Sequence, residues 1–316
     1  MTRARAFPVD EFQTNLRAIR ETTWSDVPAA VYHYTSLEAA LKILESGAFW
    51  ATNAAFLADP EEIAYTAGLA EAVITSVSRR RRSPVSQAVL SLVRTCLKDR
   101  FATANDIYIV CFSARTDAKT IWTGFGNTGG VALGLDTQQL AIPWGAGHIL
   151  LVPVAYKPVN QRRTLTKVVE TALDAVSASA AHADGAELHI ISQFVAAEVL
   201  AHATRFKKPD FADEQEWRAI YIVRPHRKLK VLQPVLRYPN ELDFKDTAFF
   251  VRSGQVVPYI PVSLMPRQTD EPRPPITQII CGPRLHDDST QRALRLAALR
   301  YGYHDVKVGS SALKLR

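Results

Sequence analysis

The chain is poor in sulfur and has no long apolar run. Its 316 residues include three cysteines, Cys96, Cys111 and Cys281, and two methionines. Three cysteines exclude the disulfide framework of a small secreted domain. No two of them stand at the C-x2-C spacing of a structural zinc site. Reduced thiols make the cytoplasm the expected compartment. The first thirty residues hold no apolar signal core, because Arg3, Arg5, Asp10, Glu11, Arg17, Arg20 and Glu21 interrupt it. The longest apolar stretches, such as Ile149–Tyr156, fall well short of the ~20 residues of a membrane-spanning helix. No membrane partner is expected. No G-x-G-x-x-G follows a strand-like run and no G-x-x-x-x-G-K-[ST] occurs, so Rossmann and P-loop sites are excluded. The histidines form no H-E-x-x-H, there is no G-x-S-x-G elbow, and no metal is expected. Nothing repeats with a period of 20–50 residues, which excludes a solenoid.

What the chain does have is a large apolar share, 47%, and a formal charge of +7 from 38 basic and 31 acidic residues. That length buries a substantial core without a staple. Arginine supplies 26 of the cations and lysine 12. The guanidinium fork suits phosphate and carboxylate, so this balance fits a nucleotide, a nucleic acid or merely a solvated surface.

Patterning indicates mixed elements without strict βαβ alternation, the signature of an α+β fold. Val31–Tyr34 reads as a strand. Thr35-Ser36-Leu37-Glu38 has the form of a capping box, with Thr35 as the cap. Leu37, Ala40, Leu41 and Leu44 make the apolar stripe of the helix that follows, and Gly47 is its left-handed stop. Phe49–Thr52 is a second strand. Asp59-Pro60-Glu61-Glu62 opens a helix towards Ser78, the Arg79–Arg82 run breaks it, and Val85–Phe101 is helical again. Ile107–Phe112 reads as a buried central strand. Val131–Leu135, Ile149–Tyr156 and Glu216–Val223 are further strands, while 168–204 is helical with a break at Asp184-Gly185. Val256–Ile260, with Pro258, is expected at a sheet edge. The end of the chain reads strand (Ile276–Cys281), helix (Ser289–Tyr301), strand (Asp305–Val308), and Arg267–Pro275 is the best linker. The expected organisation is an N-terminal helical extension over residues 1–30 and one domain over 31–316, with a helical insertion near 160–205.

Four constellations bear chemistry. On a strand of period two, Glu214, Glu216 and Arg218 share a face, with Gln215 and Trp217 opposite. This is either a carboxylate pair that orients a nucleophile or a charged surface face anchored by Trp217. His33 and Thr35, two apart on a strand end, grip a ribose diol, or serve as a core histidine and a cap. Trp122, in the Gly-rich stretch that ends at Phe125 and Gly126, offers a stacking surface or covers the core. The Arg79, Arg80, Arg81 and Arg82 run contacts phosphates, or is solvated.

In order along the chain stand His33-Tyr34-Thr35, Phe49-Trp50-Ala51-Thr52-Asn53, Asp59-Pro60-Glu61, Cys111-Phe112-Ser113, Trp122, Glu214-x-Glu216-Trp217-Arg218, Pro258-Tyr259-Ile260 and Gly282-Pro283. This series resembles a widespread bacterial family of unknown function over about residues 31–316. Its His-x-Thr and Glu-x-Glu elements are similar to those of the ADP-ribosyltransferase superfamily. The stretch from His33 to Gly47 resembles the start of the DNA-targeting ADP-ribosyltransferase toxins. The resemblance implies a split β-sheet with flanking helices and NAD as co-substrate. It also implies a cofactor set of His33, Tyr34, Thr35, Trp50, Ser113, Trp122, Phe125 and Arg218. Within that set His33 and Thr35 lie against the adenosine ribose, and Arg218 or another arginine meets the pyrophosphate. Glu216 binds the nicotinamide ribose and Glu214 orients or deprotonates the acceptor. The implied partner is a nucleic acid or protein acceptor, with an antitoxin or regulatory partner if the protein is a toxin or defence effector. Two positions depart from the family pattern, Phe125 in place of a tyrosine and Ala58 in place of an asparagine before Asp59-Pro60. The rival expectations are a non-catalytic nucleic-acid-binding module, through Arg79–Arg82, or an NAD glycohydrolase or 2′-phosphotransferase on the same scaffold.

Overall fold

The computed structural model describes residues 27–57, 61–103, 107–124, 129–140, 150–179, 185–222, 246–252, 254–264, 273–285 and 287–313. The expected N-terminal extension lies almost wholly outside them, as do Asp59, Pro60, Phe125 and most of the linker candidate. The chain forms two compact units. One gathers Leu57–Asn105 and Ala155–Pro209, and the other gathers Asp26–Phe56, Asp106–Val154 and Asp210–Arg316. The architecture is mixed α/β.

The second unit holds all ten strands. They are β1 (Ala30–Thr35), β2 (Phe49–Asn53), β3 (Ile107–Ser113), β4 (Val131–Asp136), β5 (Leu150–Pro153), β6 (Glu216–Ile222), β7 (Ala248–Arg252), β8 (Gln255–Val262), β9 (Ile276–Cys281) and β10 (Lys307–Ser310). Its helices are α1 (Leu37–Ser46), a short α4 (Lys119–Thr123) and α7 (Asp288–Arg300). The order is β10-β9-β4-β1-β3-β2-β8-β7, with β6 on β3 and β5 on β6. Among the described strands only β9 and β10 run parallel, joined through α7.

β3 has three partners, and this shapes the sheet. Its whole length pairs with β6, from Ile107↔Ile222 to Ser113↔Glu216. On its other edge Ser113 faces Tyr32 of β1, while Ile109 and Tyr108 face Thr52 and Asn53 of β2. The sheet therefore forks along β3, with β1-β4-β9-β10 in one arm and β2-β8-β7 in the other.

Residues in register share a face. Val31, Leu133, Ile279, Phe112, Val110, Trp217, Phe49 and Ile260 form a buried core with Ala40, Ile43 and Leu44 of α1 and Leu294 and Ala298 of α7. The opposite face carries a smaller cluster of Tyr32, Trp122 and Ala132. Close packing there leaves no room at Gly282, where a Cβ would lie 2.8 Å from the Gly130 carbonyl and 2.9 Å from the Trp122 ring.

The helical unit contains α2 (Glu61–Arg80), α3 (Pro84–Thr103), α5 (Pro158–Ser179) and α6 (Gly185–Ala203). α3 packs along α6 and α2 along α5, burying Leu69, Val73, Ile74, Leu90, Val93, Leu165, Val169, Leu173, Val195 and Val199. Among the described residues no helix is long and apolar enough to cross a membrane.

Three local expectations are corrected. The cap of α1 is Ser36, whose Oγ accepts from the Ala39 amide at 3.1 Å, because Thr35 is still in the strand. Glu38 pairs with Lys42 instead of closing a capping box. β8 is not an edge strand but lies between β2 and β7. Its prolines oppose Phe249 on one side and Trp50 on the other, so each neighbouring ladder gives up a single N–H. The third correction concerns Glu214 and is described with the site.

One core hydroxyl is anomalous. Tyr221, opposite Tyr108 on the core face, is buried, and its OH has no hydrogen-bond partner among the described residues. Burial alone pushes its ionisation upward. An orphaned buried polar group costs about 1–3 kcal/mol. Tyr221→Phe is expected to raise the unfolding free energy by about 1 kcal/mol in a urea titration, and a loss of stability would reveal a partner for that hydroxyl.

Candidate functional site

Register brings three of the sequence elements together. Tyr32 of β1, Ser113 of β3 and Glu216 of β6 lie side by side across adjacent strands. Strands about 4.8 Å apart place β1 and β6 within about 10 Å of each other. On the same face, Arg218 lies opposite Cys111 and Val152.

The strongest interaction on this strip is internal to β6. Arg218 Nε donates to Glu216 Oε1 at 2.8 Å and its Nη2 donates to Oε2 at 3.1 Å. The arginine side chain is 1% exposed and the glutamate 6%. Period-two alternation is what makes the pair possible, since residues two apart on a strand share a face.

Glu214 stands outside this strip, contrary to the expected shared strand face. It closes a 3-10 turn, Pro209–Glu214, and β6 begins at Glu216. Between them Gln215 takes φ +43°, the left-handed region that costs a non-glycine residue about 1 kcal/mol or more. That inversion resets the chain, so alternation does not run back to Glu214. Hydrogen bonds hold the strained residue on both sides, with Ala114 N donating to the Gln215 carbonyl and Gln215 N to that of Ala212.

Polar bonds fix the loop after β3 to this turn. Ser113 Oγ donates to the Glu214 carbonyl at 2.6 Å and accepts from Arg115 N at 3.0 Å. Arg115 forms an ion pair with Asp213. The Tyr34 hydroxyl donates to the Arg115 carbonyl at 2.8 Å and accepts from Ala118 N at 3.0 Å. Asp117 accepts from Trp122 Nε1 at 2.6 Å, Ser311 Oγ at 2.7 Å and Ala312 N at 2.7 Å. These roles of Asp117, Asp213 and Arg115 escaped the sequence reading. No spacing marks them, because their partners are backbone groups or residues distant in sequence.

Trp122 packs on Tyr34 with ring centroids 4.6 Å apart and is 2% exposed, so it acts as packing and not as an open stacking surface. Trp50 belongs to the other arm of the fork, in a cluster with Tyr259 at 4.5 Å and Phe250 at 5.5 Å and with Lys42 Nζ over its ring. The structure does not bring the two tryptophans together. Phe125 lies outside the described residues.

His33 and Thr35 are out of phase with Tyr34, and alternation points them to the core side. The His33 ring occupies the fork, edge-on to Phe49 at 5.2 Å and beside Phe112 at 5.7 Å. Its Nδ1 lies 2.9 Å from the Cys111 carbonyl. Burial lowers its pKa, with that bond opposing the shift. A carbonyl only accepts, so Nδ1 carries the proton and the neutral ring keeps a lone pair on Nε2.

The Arg79–Arg82 run lies in the helical unit. Helix α2 continues through Arg79 and Arg80. Arg80 and Arg81 pair with Glu170, Arg81 pairs also with Asp174, and Arg82 Nε donates to the Arg79 carbonyl. Glu170 and Asp174 thus face two of the four cations, Arg80 and Arg81. Among the described residues no three His, Cys, Asp or Glu side chains gather as metal ligands.

Residues 121–219 match the model of a family described as a protein of unknown function, DUF2971. No curated protein and no solved structure matches. The matched segment runs from Ile121, beside Trp122, to Ala219, just past Arg218, and so includes the Glu216–Arg218 pair. It is not a folding unit. Its strands β4 and β6 pair with β1, β9 and β3, all outside it, and its residues are divided between both units.

Two predictions follow from this geometry. A fragment of residues 121–219 alone is expected to show no cooperative thermal transition by circular dichroism. Burial raises the Tyr34 phenol to about 12; the Ala118 bond and Arg115 oppose the shift, and Asp117 adds to it. The native state thus keeps this proton above the ordinary value near 10, so its stabilisation is complete below pH 10 and lost by about pH 12. Between those limits the wild type is expected to lose about 2 kcal/mol more than Tyr34→Phe, measured by urea unfolding at each pH.

Proposed function

We propose that the β1–β3–β6 strip is the active site of an NAD-dependent ADP-ribosyltransferase acting on a nucleic acid or protein acceptor, of the toxin or defence-effector class. The observation that carries this reading is that three elements distant in sequence lie on neighbouring strands, with Tyr32, Ser113, Glu216 and Arg218 on one face and the Glu216 carboxylate sheltered there.

Glycosidic cleavage of NAD puts positive charge on the nicotinamide ribose, and a fixed carboxylate in a water-poor site stabilises it. Glu216 supplies that carboxylate and an acceptor for the ribose 2′-hydroxyl. The C1′–N bond breaks with its electron pair leaving on nicotinamide, which departs neutral. An acceptor heteroatom gives its lone pair to C1′. Glu214, half-buried at the end of the adjacent turn, receives the displaced proton. His33 and Thr35 face the core side, opposite to Glu216, so in this site His33 holds the fork and does not reach the adenosine ribose. The forked sheet and the strained Gln215 beside the carboxylate fit a built site, since strain of this kind gathers at functional positions.

The test is incubation with labelled NAD and separate DNA, RNA and protein acceptors. Wild type is expected to transfer label to one of them. Glu216→Gln is expected to lose at least about a hundredfold in kcat while binding NAD within a few fold. Absence of both NAD turnover and NAD binding by wild type, with every acceptor, overturns the proposal. Release of free ADP-ribose without labelled acceptor assigns a glycohydrolase instead.

A further inference from the structure

We infer that Arg218 is a positioning residue that fixes the plane and the charge of the Glu216 carboxylate and does not itself bind a phosphate. The inference rests on the ADP-ribosyl-transfer reading of this strip.

Placement argues against a phosphate role. Arg218 is among the largest fully buried side chains, and β6 has β3 on one edge and β5 on the other. Two of its N–H groups are engaged by Glu216, one to each carboxylate oxygen. A pyrophosphate would have to displace that grip and reach a side chain that is 1% exposed.

Placement argues equally for a service to Glu216. A buried ion pair is weak evidence of stability, since apolar replacements of similar volume often do as well. Its retention in an otherwise apolar strand calls for another reason. Two parallel hydrogen bonds stop rotation of the carboxylate about its terminal torsion, which a single contact would not do. An adjacent cation favours the ionised form of a carboxylate, against the effect of burial. The group therefore acts as an oriented acceptor and counter-charge, and not as an acid. Ser113 lies beside it on β3, but its hydroxyl is turned to the Glu214 carbonyl, so the grip comes from Arg218.

The test uses Arg218→Lys, Arg218→Met and the double variant Glu216→Gln/Arg218→Met, with two independent readouts. The first is titration of the Glu216 carboxyl without substrate, followed by NMR in selectively labelled protein. Arg218→Met is expected to raise its midpoint by about one unit or more, and Arg218→Lys to shift it much less. The second is steady-state kinetics with NAD. Arg218→Met is expected to lower kcat about a hundredfold, leave KM for NAD within about threefold, and move the acid limb of the pH profile upward. Arg218→Lys keeps the charge but not the fork, and is expected to lower kcat about tenfold with the acid limb in place. An unchanged Glu216 titration in Arg218→Met overturns the inference, as does a rise in KM with kcat unaltered. Should Arg218→Met not fold, folding of the double variant supports the inference, because Arg218 is then needed only while Glu216 is charged; failure of both overturns it. If wild type turns over no NAD, the catalytic reading fails, while the titration still decides what Arg218 does.

Discussion

The rest of the sheet depends on β3 having more neighbours than a strand ordinarily accommodates. Seven residues, Ile107–Ser113, bond along one edge to β6 and share the other between β1 and β2. Two strands cannot occupy the same edge positions, so they meet β3 at different heights and diverge. The His33 ring fills the resulting gap and donates to the Cys111 carbonyl. The fork, the placement of His33 and the alignment of Tyr32 with Ser113 and Glu216 all follow from this one sharing of an edge.

Much of the fold was legible because it is written in local periodicity. The apolar run of β3, the stripe and Gly47 stop of α1, and the strand–helix–strand order at the end of the chain all appear within a residue or two of their predicted bounds. Local physics sets those elements. Failures occurred where the decision was not local. Ser36 displaced Thr35 as cap because the pairing of β1 with β4 extends to Thr35↔Val131. Pro258 suggested an edge, yet β8 tolerates it between two neighbours. Glu214 was placed on a strand because alternation carries no sign of the backbone inversion at Gln215.

The site was partly legible for the same reason. Glu216 and Arg218 stood out by spacing, and their face-sharing is a direct consequence of strand geometry. Their mutual burial could not be read, since it depends on β3 and β5 closing over both edges of β6. His33 and Thr35 share a face as their spacing predicts, but it is the core face, opposite to Glu216; Tyr34 between them locks the loop at Arg115 and Ala118, and His33 seals the fork. Asp117 was invisible altogether, because it joins Trp122 to Ser311 and Ala312 across most of the chain.

The two excursions that build the helical unit, between β2 and β3 and between β5 and β6, bear on how the chain reaches its native state. Pairing Ser113 with Glu216 closes a very long loop, and long-range pairing of that kind slows folding. Entropy of closure grows only slowly with length, by about 0.6 kcal/mol for each doubling, and a loop already collapsed into helices is effectively shorter still. Helices α2 and α3 adjoin in sequence, as do α5 and α6, yet α3 packs along α6 and α2 along α5, so the helical unit also needs contacts between the two excursions. The pairing of β6 with β3 brings together the surroundings of Glu216. The β1-α1-β2 segment therefore precedes, by more than 150 residues of chain, the strand that shelters Glu216.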